Sequence, residues 1–291
     1  MKFHKAVVIY NPNSTGDSEK NAKQFADDLK NESSEISIEI VATKYAGHAE
    51  EIAAEYADEK NTIIISSSGD GGYNEVINGS LSGKAECAVA VLPSGNANDH
   101  HRAVGSDNLA ESIIKGQTIK IEAIKLSATV DGKKWQRYAH SYVGFGLTPK
   151  VGKVLTDARP NFVTEKWYVI RHAFSFKHVN IESDGTVKKY HSLIAATVDR
   201  MSKVIKLDQS ADMNDGKMEI YESRYLSPFK TIKELLLVGM SGISRSSRVE
   251  TLELTAGRKP LLVQLDGEVF TIDAGSKITL HCERDCLTTI A

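Results

Sequence analysis

The stretch Ser66–Gly79, SSSGDGGYNEVING, decides how the first half of the chain folds. It follows Thr62–Ile65, an apolar run typical of a buried strand, and leads into residues that favour a helix. The junction holds three serines and three glycines, with Asp70 set among them. Glycine lets backbone N–H groups approach a bulky anion, so the junction predicts a phosphate-binding loop between a strand and a helix.

The same order of strand and helix occurs four times in the first 116 or so residues. Four alternations predict a parallel sheet with helices packed on it. After this point, β-branched segments separated by Asp-Gly turns predict antiparallel strands. We therefore expect an α/β domain at residues 1–122 and a β-rich domain at residues 123–291, with a cleft between them. This division leaves open whether the last strand of the chain returns to the first domain.

Composition narrows the classes of partner. The formal net charge is -2 and 25% of the 291 residues are charged, so no basic field favours nucleic acid. Three cysteines, Cys87, Cys282 and Cys286, are too few and too scattered for a disulfide framework, and they favour a reducing cytoplasm over a zinc site. No window approaches the ~20 apolar residues of a membrane-spanning helix, which leaves peripheral attachment to a membrane open.

Three loops follow predicted strands and share one composition, rich in glycine and small polar residues. They are NPNSTG at 11–16, SSSGDGG at 66–72 and LPSGNAND at 92–99. In a parallel α/β sheet, ligands bind beyond the carboxyl ends of the strands, where such loops meet. The side chains of Asn11, Asn74, Asn96 and Asn98 add donors, so the three loops together predict a site for nucleotide phosphates.

Two common nucleotide motifs are missing. No G-x-x-x-x-G-K-[ST] occurs, and G-x-G-x-x-G is incomplete because Asn74 stands where its third glycine is required. The carboxylate of Asp70 would repel phosphate unless a divalent cation stood between them. This pattern favours Mg²⁺ and phosphoryl transfer over dinucleotide binding.

SGDGGYNEVING resembles the G-G-D-G-T-x-N-E-V-x-N-G signature of the diacylglycerol kinase catalytic domain family. Bacterial soluble lipid kinases and sphingosine kinases share that signature, and NAD kinases and 6-phosphofructokinases are more distant relatives. NPNSTG, LPSGNANDHHRAV, DMNDGKMEI and VQLDGE are similar to further family motifs, in the same order. In this chain Ser68 replaces the first glycine of the signature, and Gly72 replaces a threonine whose hydroxyl helps to hold phosphate.

The resemblance implies an α/β N-terminal domain with a parallel sheet, NAD kinase-like and phosphofructokinase-like, and a C-terminal antiparallel β-sandwich domain. It implies an ATP-dependent lipid kinase with Mg²⁺, which transfers the γ-phosphate to a hydroxyl of diacylglycerol or a related lipid at a membrane surface. A homodimer is compatible with it.

The resemblance also implies roles for individual residues. The residues expected to meet ATP are Asn11, Thr43, Ser68, Gly69, Asp70, Gly71, Gly72, Asn74 and Asn96. Glu268 or Asp266 would take the proton from the acceptor hydroxyl, and Asp70 would engage Mg²⁺ or orient the reaction. A structural Mg²⁺ site would use the carboxylate of Asp215 and the backbone carbonyls of Asp212 and Lys217.

Two alternatives remain open at this point. An NAD kinase-like phosphotransferase shares the glycine-rich loop, although VQLDGE and the loop at 92–99 favour the lipid kinases. A nucleotide-binding regulator without catalysis is suggested by Gly72 and by ATVDRMSK, which stands where the family has an Asn-rich and Gly-rich turn. The retained acids Asp70, Asp215, Asp266 and Glu268 argue against it.

Overall fold

The structure is a computed structural model of the chain. The residues that it describes fall into two compact units, Met1–Ala123 with Glu283–Ala291, and Ile124–Cys282. Three of the predicted site residues, Asn96, Asn98 and Asp212, lie outside the described residues. The described ranges are 1–14, 17–84, 86–94, 99–104, 106, 108–149, 178–183, 185–198, 200–201, 205–207, 214–224 and 247–290.

The first unit is built around a parallel sheet in the order β2-β1-β3-β4, with the end of the last strand of the chain, β17, beside β4. Its elements are β1 Lys5–Tyr10, α1 Ser18–Glu32, β2 Ser37–Ala42, α2 His48–Glu55, β3 Thr62–Ser68, α3 Asp70–Ser80, β4 Ala88–Pro93, α4 Asp99–Val104 and α5 Leu109–Lys115. β5, Thr118–Val130, begins in the first unit and ends in the second, and β17, Lys277–Ile290, runs the other way. The predicted succession of parallel strands and helices is confirmed.

β3 lies at the centre of this sheet, and its first six residues are buried. Ile63 and Ile65 pack in one core cluster with Phe25 of α1 and Ile113 of α5. A strand covered on both faces has a continuous apolar run rather than an alternating one, which is why Thr62–Ile65 has no polar position inside it.

The second unit consists of antiparallel strands, as predicted. They pair in the order β16-β15-β7-β9-β8-β14-β17, while β9 also pairs with β12, β12 with β13, and β5 with β6. These strands are β6 Lys133–Ala139, β7 Tyr142–Gly146, β8 Val179–Ser183, β9 Thr186–Ala196, β12 Met218–Arg224, β13 Ser247–Val249, β14 Thr251–Ala256, β15 Leu261–Leu265 and β16 Glu268–Ile272. The two-residue strands β10 Arg200–Met201 and β11 Ile205–Lys206 pair with each other.

Asp-Gly pairs form two of the hairpins that the sequence predicts. Asp131 and Asp266 have φ of 49° and 48°, and the glycines that follow them have φ of 73° and 107°. Two-residue loops with both φ values positive match the right-handed twist of the flanking strands. The hairpins join β5 to β6 and β15 to β16.

None of the helices in the part of the chain that the structure describes is long and apolar enough to span a membrane.

α2 and α3 pack closely in the first unit, and Gly79 makes the close approach possible. A Cβ at Gly79 would lie 2.2 Å from the backbone oxygen of Glu50 and 2.7 Å from the Cβ of Ala53. The carboxylate of Glu75, one turn earlier on α3, accepts hydrogen bonds from the N–H groups of Gly47 at 3.0 Å and Ala49 at 3.3 Å. A carboxylate at this end of α2 satisfies its first N–H groups and opposes the helix dipole.

We expect Gly79→Ala to lower the free energy of unfolding by about 1–3 kcal/mol, because the two helices must move apart to admit the methyl group. Urea unfolding followed by circular dichroism measures this loss. Glu55→Ala, on the exposed face of α2, is the control and should change stability by less than about 0.5 kcal/mol. Equal stability of Gly79→Ala and the unmodified protein would contradict the close contact.

Candidate functional site

The loops predicted to bind phosphate follow β1, β3 and β4, which are neighbours in the parallel sheet. Their strands end at Tyr10, Ser68 and Pro93, so the described parts of the loops lie at one edge of the sheet. The N–H of Thr43 donates to the backbone oxygen of Tyr10 at 2.8 Å, which brings Thr43 beside the end of β1. The structure thus brings together Asn11, Thr43 and the segment 68–72.

Three serines, of which Ser18 and Ser67 are buried and Ser94 is half-buried, join the described parts of these loops to one another. The hydroxyl of Ser18 donates to the backbone oxygen of Ser67 and the hydroxyl of Ser67 donates to the backbone oxygen of Ser18, both at 2.8 Å. The Ser67 hydroxyl also lies 3.1 Å from that of Ser94, which accepts from the side-chain amide of Asn21 at 2.9 Å. Sequence reasoning did not single out Ser18, Ser67 or Ser94; the only signal is a small polar residue at each strand end or helix start.

The Ser18 hydroxyl also holds the backbone of the first loop. The N–H of Asn11 donates to the Ser18 hydroxyl at 3.2 Å, and the side-chain oxygen of Asn11 accepts from the N–H of Asn13 at 2.9 Å. Asn11 is exposed, so it remains accessible to a ligand while its backbone is held in place.

The segment 68–72 is half-buried, whereas the residues on either side of it in β3 and α3 are buried. The first hydrogen bond inside α3 runs from the N–H of Tyr73 to the backbone oxygen of Gly69, at 3.1 Å. The N–H groups at the start of a helix have no acceptor within the helix and point out of its end, where they favour an anion. Segment 68–72 therefore presents backbone donors and a helix N-terminus to solvent.

Asp70 occupies the first position of α3. Its Oδ1 accepts a hydrogen bond from the N–H of His100, in α4, at 3.4 Å. The carboxylate thus connects the starts of two helices that each follow a predicted phosphate loop. Because Asp70 is only half-buried, its carboxylate stays close to solvent, as a group that meets a nucleotide-bound cation must.

Asn74 differs from the other residues predicted to meet ATP. Its side chain is fully buried, and its Oδ1 accepts from the amide of Asn78 at 3.1 Å. Burial and this bond favour a packing role for Asn74 inside α3. Together with Glu75 and Gly79, it belongs to the part of the signature that holds helices in place.

Asp266 is 1% exposed, and its carboxylate is surrounded by donors from the start of β7. Oδ2 accepts from the N–H of His140 at 2.7 Å, and Oδ1 accepts from the N–H groups of Ser141 at 3.0 Å and Tyr142 at 2.9 Å. The ring Nε2 of His140 lies 3.3 Å from Oδ2. A carboxylate can accept about four hydrogen bonds. The three N–H groups and the His140 ring nitrogen therefore occupy the acceptor positions of the Asp266 carboxylate.

Glu268 lies two residues further on, at the start of β16, and is exposed. A general base must reach the proton that it removes. Of the two acids proposed as the base, Glu268 has access to a substrate, while Asp266 anchors the turn that carries it.

We expect Asp266→Asn to lower the free energy of unfolding by about 2–4 kcal/mol. The asparagine amide has one acceptor oxygen, and its NH₂ group would face N–H groups whose hydrogen bonds the carboxylate of Asp266 accepts. Thermal and urea unfolding measure the change. Asp131→Asn is a matched control, because Asp131 occupies the same position in an exposed Asp-Gly hairpin and asparagine tolerates its positive φ. Equal losses of stability for Asp266→Asn and Asp131→Asn would show that the hydrogen bonds from the N–H groups around Asp266 do not stabilise the protein.

Asp212, one of the three residues predicted to hold a structural Mg²⁺ ion, lies outside the described residues, and the carboxylate of Asp215 contacts other groups of the protein. Oδ1 of Asp215 accepts from the N–H of Lys217 at 2.9 Å, and Oδ2 is paired with the guanidinium of Arg248. The Nε of Arg248 also lies 3.2 Å from Oε1 of Glu219, which is 1% exposed and faces Arg248 across the β12–β13 pair. Arg248 thus supplies the positive charge at Asp215. Among the described residues no group of three or more histidine, cysteine, aspartate or glutamate side chains is arranged to hold a metal.

We expect the melting temperature of the protein without nucleotide to be the same in excess EDTA and in millimolar Mg²⁺.

Arg248→Met should lower stability by roughly 2 kcal/mol, because it leaves the buried carboxylate of Glu219 without this ion pair. Differential scanning calorimetry measures both effects. Arg224→Met, at an exposed pair with Glu222, is the control and should cost less than about 1 kcal/mol. Stabilisation of the unmodified protein by Mg²⁺ would contradict the replacement of metal by Arg248.

The cysteines offer no nucleophile. Burial raises the pKa of the Cys87 thiol to about 11 and that of the Cys286 thiol to about 12, and Cys282 is buried. Thiols with such pKa values stay protonated near neutral pH and are unreactive.

The first part of the chain matches a known protein family. Residues 5–126 match the sequence model described as the diacylglycerol kinase catalytic domain. The predicted resemblance is therefore confirmed, and the matched segment contains all three glycine-rich loops.

Curated relatives carry the same name. The diacylglycerol kinase of Staphylococcus carnosus (strain TM300) is 27% identical over 220 residues, which cover 73% of this chain and 70% of that protein. The diacylglycerol kinase of Staphylococcus aureus (strain bovine RF122 / ET3-1) is 26% identical over 224 residues, covering 73% and 68%. With the family match, these relatives indicate a kinase.

Solved structures share the fold. The crystal structure of a diacylglycerol kinase from Bacillus anthracis str. Sterne matches with a TM-score of 0.67 and 19% identity, over 100% of this chain and 97% of that one. Yeast NADH kinase complexed with NADH matches with a TM-score of 0.53 and 11% identity, over 99% and 83%. The fold is thus that of diacylglycerol kinases and NAD kinase-like proteins, as predicted.

Proposed function

We propose that the protein is an ATP-dependent lipid kinase, which transfers the γ-phosphate of ATP to a hydroxyl of diacylglycerol or a related lipid. The observation that carries this proposal is the half-buried segment 68–72, at the N-terminus of α3, among the loops that the Ser18, Ser67 and Ser94 hydroxyls hold together. The family match and the name of the curated relatives support the class of reaction.

The phosphates of ATP would lie against the N–H groups of segment 68–72, with Asn11 and Thr43 beside them at the same edge of the sheet. ATP would arrive with its Mg²⁺, which neutralises charge on the transferred phosphoryl group. The half-buried carboxylate of Asp70, at the first position of α3, has the charge and the access to hold that cation near the phosphates. We propose Asn96 as a further phosphate contact from the third loop. The proposal places no metal at Asp215, because its carboxylate is paired with Arg248.

Glu268 is the general base of the proposal. A hydroxyl is a weak nucleophile, and removal of its proton by a positioned carboxylate accelerates transfer by about 10²–10⁴. The N–H groups of residues 140–142 hold Asp266, and Asp266 holds the turn that leads into Glu268. The base would thus have a rigid support and an exposed carboxylate.

The lipid hydroxyl would be presented at a membrane surface, to a protein that attaches to it peripherally from the cytoplasm. Diacylglycerol is the first candidate, because it is the substrate in the name of the curated relatives.

The test is transfer of label from γ-labelled ATP in the presence of Mg²⁺ to diacylglycerol, phosphatidylglycerol, sphingosine or NAD in mixed micelles. We expect one lipid to be labelled, and Glu268→Gln to lower kcat by about 10²–10⁴ with the affinity for ATP unchanged. Glu253→Gln, an exposed glutamate on β14, is the matched control and should keep full activity.

Other outcomes assign other functions. Labelling of NAD alone would favour an NAD kinase-like phosphotransferase, and ATP binding without transfer to any acceptor would favour a regulator. Full activity of Glu268→Gln would remove Glu268 from the mechanism and leave the substrate result standing.

A further inference from the structure

Two departures from the family signature, Ser68 and Gly72, are neighbours in space. Ser68 is the last residue of β3, and Gly72 lies in the first turn of α3. A Cβ placed on Gly72 would lie 2.7 Å from the hydroxyl of Ser68 and 2.8 Å from its Cβ. Real Cβ atoms do not approach other atoms so closely. Side chains at positions 68 and 72 therefore compete for one volume, which only one of them can fill.

The hydroxyl of Ser68 is held by its neighbours at the edge of segment 68–72. It donates to the backbone oxygen of Gly69 at 2.9 Å and lies 2.7 Å from the hydroxyl of Ser66. Because the proton of Ser68 goes to Gly69, Ser66 is the donor of the second bond. A serine hydroxyl turns about its C–O bond, so Ser68 can redirect its proton to a phosphate oxygen while the Ser66 bond keeps the oxygen in place.

We infer that Ser68 supplies the hydroxyl that the signature carries at position 72, and that Gly72 is glycine because Ser68 fills the space beside it. The inference rests on the proposed function, since the hydroxyl is assigned to the phosphates of ATP. It treats the two replacements as one exchange, which moves a single hydroxyl from the first turn of α3 to the end of β3. Ser68 is thus a phosphate-binding residue, and Gly72 has a steric role.

The test compares Ser68→Ala, Ser68→Gly, Gly72→Thr and the double variant Ser68→Gly/Gly72→Thr with the unmodified protein. Affinity for ATP is measured by calorimetric titration, KM and kcat by label transfer, and the melting temperature without nucleotide by calorimetry. Ser82→Ala is the control, because its hydroxyl also donates to a nearby backbone oxygen, Gly79, but after the end of α3.

Ser68→Ala should melt a few degrees lower without nucleotide, because the buried Ser66 hydroxyl loses its partner. It should bind ATP roughly 10–100-fold more weakly, which is the loss of one hydrogen bond to a charged group. Gly72→Thr should melt about 2–8 °C lower and also bind ATP weakly, because the added side chain displaces Ser68. In the double variant the melting temperature should return to within a few degrees of that of the unmodified protein, and the affinity for ATP to within a few-fold. Independent sites would instead give the sum of the two losses.

The outcomes separate this inference from the proposed function. If the unmodified protein binds ATP and Ser68→Ala binds it equally well, the assignment of the hydroxyl is wrong although the function stands. Additive losses in the double variant would overturn the spatial exchange. If the unmodified protein does not bind ATP, both the function and the role of Ser68 are wrong.

Discussion

The candidate site depends on the pair of hydrogen bonds between Ser18 and Ser67. Each hydroxyl donates to the backbone oxygen of the other residue, and both residues are buried. A buried hydroxyl without a partner would be costly, so this arrangement has little freedom to change. Through Asn11 it holds the loop after β1, and through Ser94 it reaches the loop after β4. The described parts of three loops that are far apart in the sequence are thereby held together near the N-terminus of α3.

The alternation of side chains along β3 explains why three serines stand in a row. Ser67 has its hydroxyl bonds to Ser18 and Ser94, whereas the Ser66 and Ser68 hydroxyls bond to each other. Successive residues of a strand face opposite sides of the sheet, so one serine connects loops while its neighbours meet the start of α3. The polar junction therefore contains one serine that connects loops and two serines that lie at the start of α3.

Local patterns predicted the fold class, because they carry its physical causes. Buried parallel strands require apolar runs such as Thr62–Ile65, and positive φ at two-residue hairpins favours Asp-Gly. The side-chain partners of the site were not predictable in the same way. Asp266 receives its N–H donors from residues 124–126 positions earlier, and no local signal shows which strand β15 will pair with. Burial of Asn74 and the pairing of Asp215 with Arg248 likewise arise only from packing.

A family signature mixes residues that meet the ligand with residues that hold the fold. In this chain Glu75 and Gly79 serve the contact of α2 with α3, and segment 68–72 is the part left open to solvent. The absence of a threonine at position 72 is one of the two sequence arguments for a protein without catalysis. That argument assumes that each position acts alone. Because the space beside Gly72 is filled by Ser68, the two positions must be considered together. A sequence signature must be examined in three dimensions, because a group that is missing at one position can be supplied from another position.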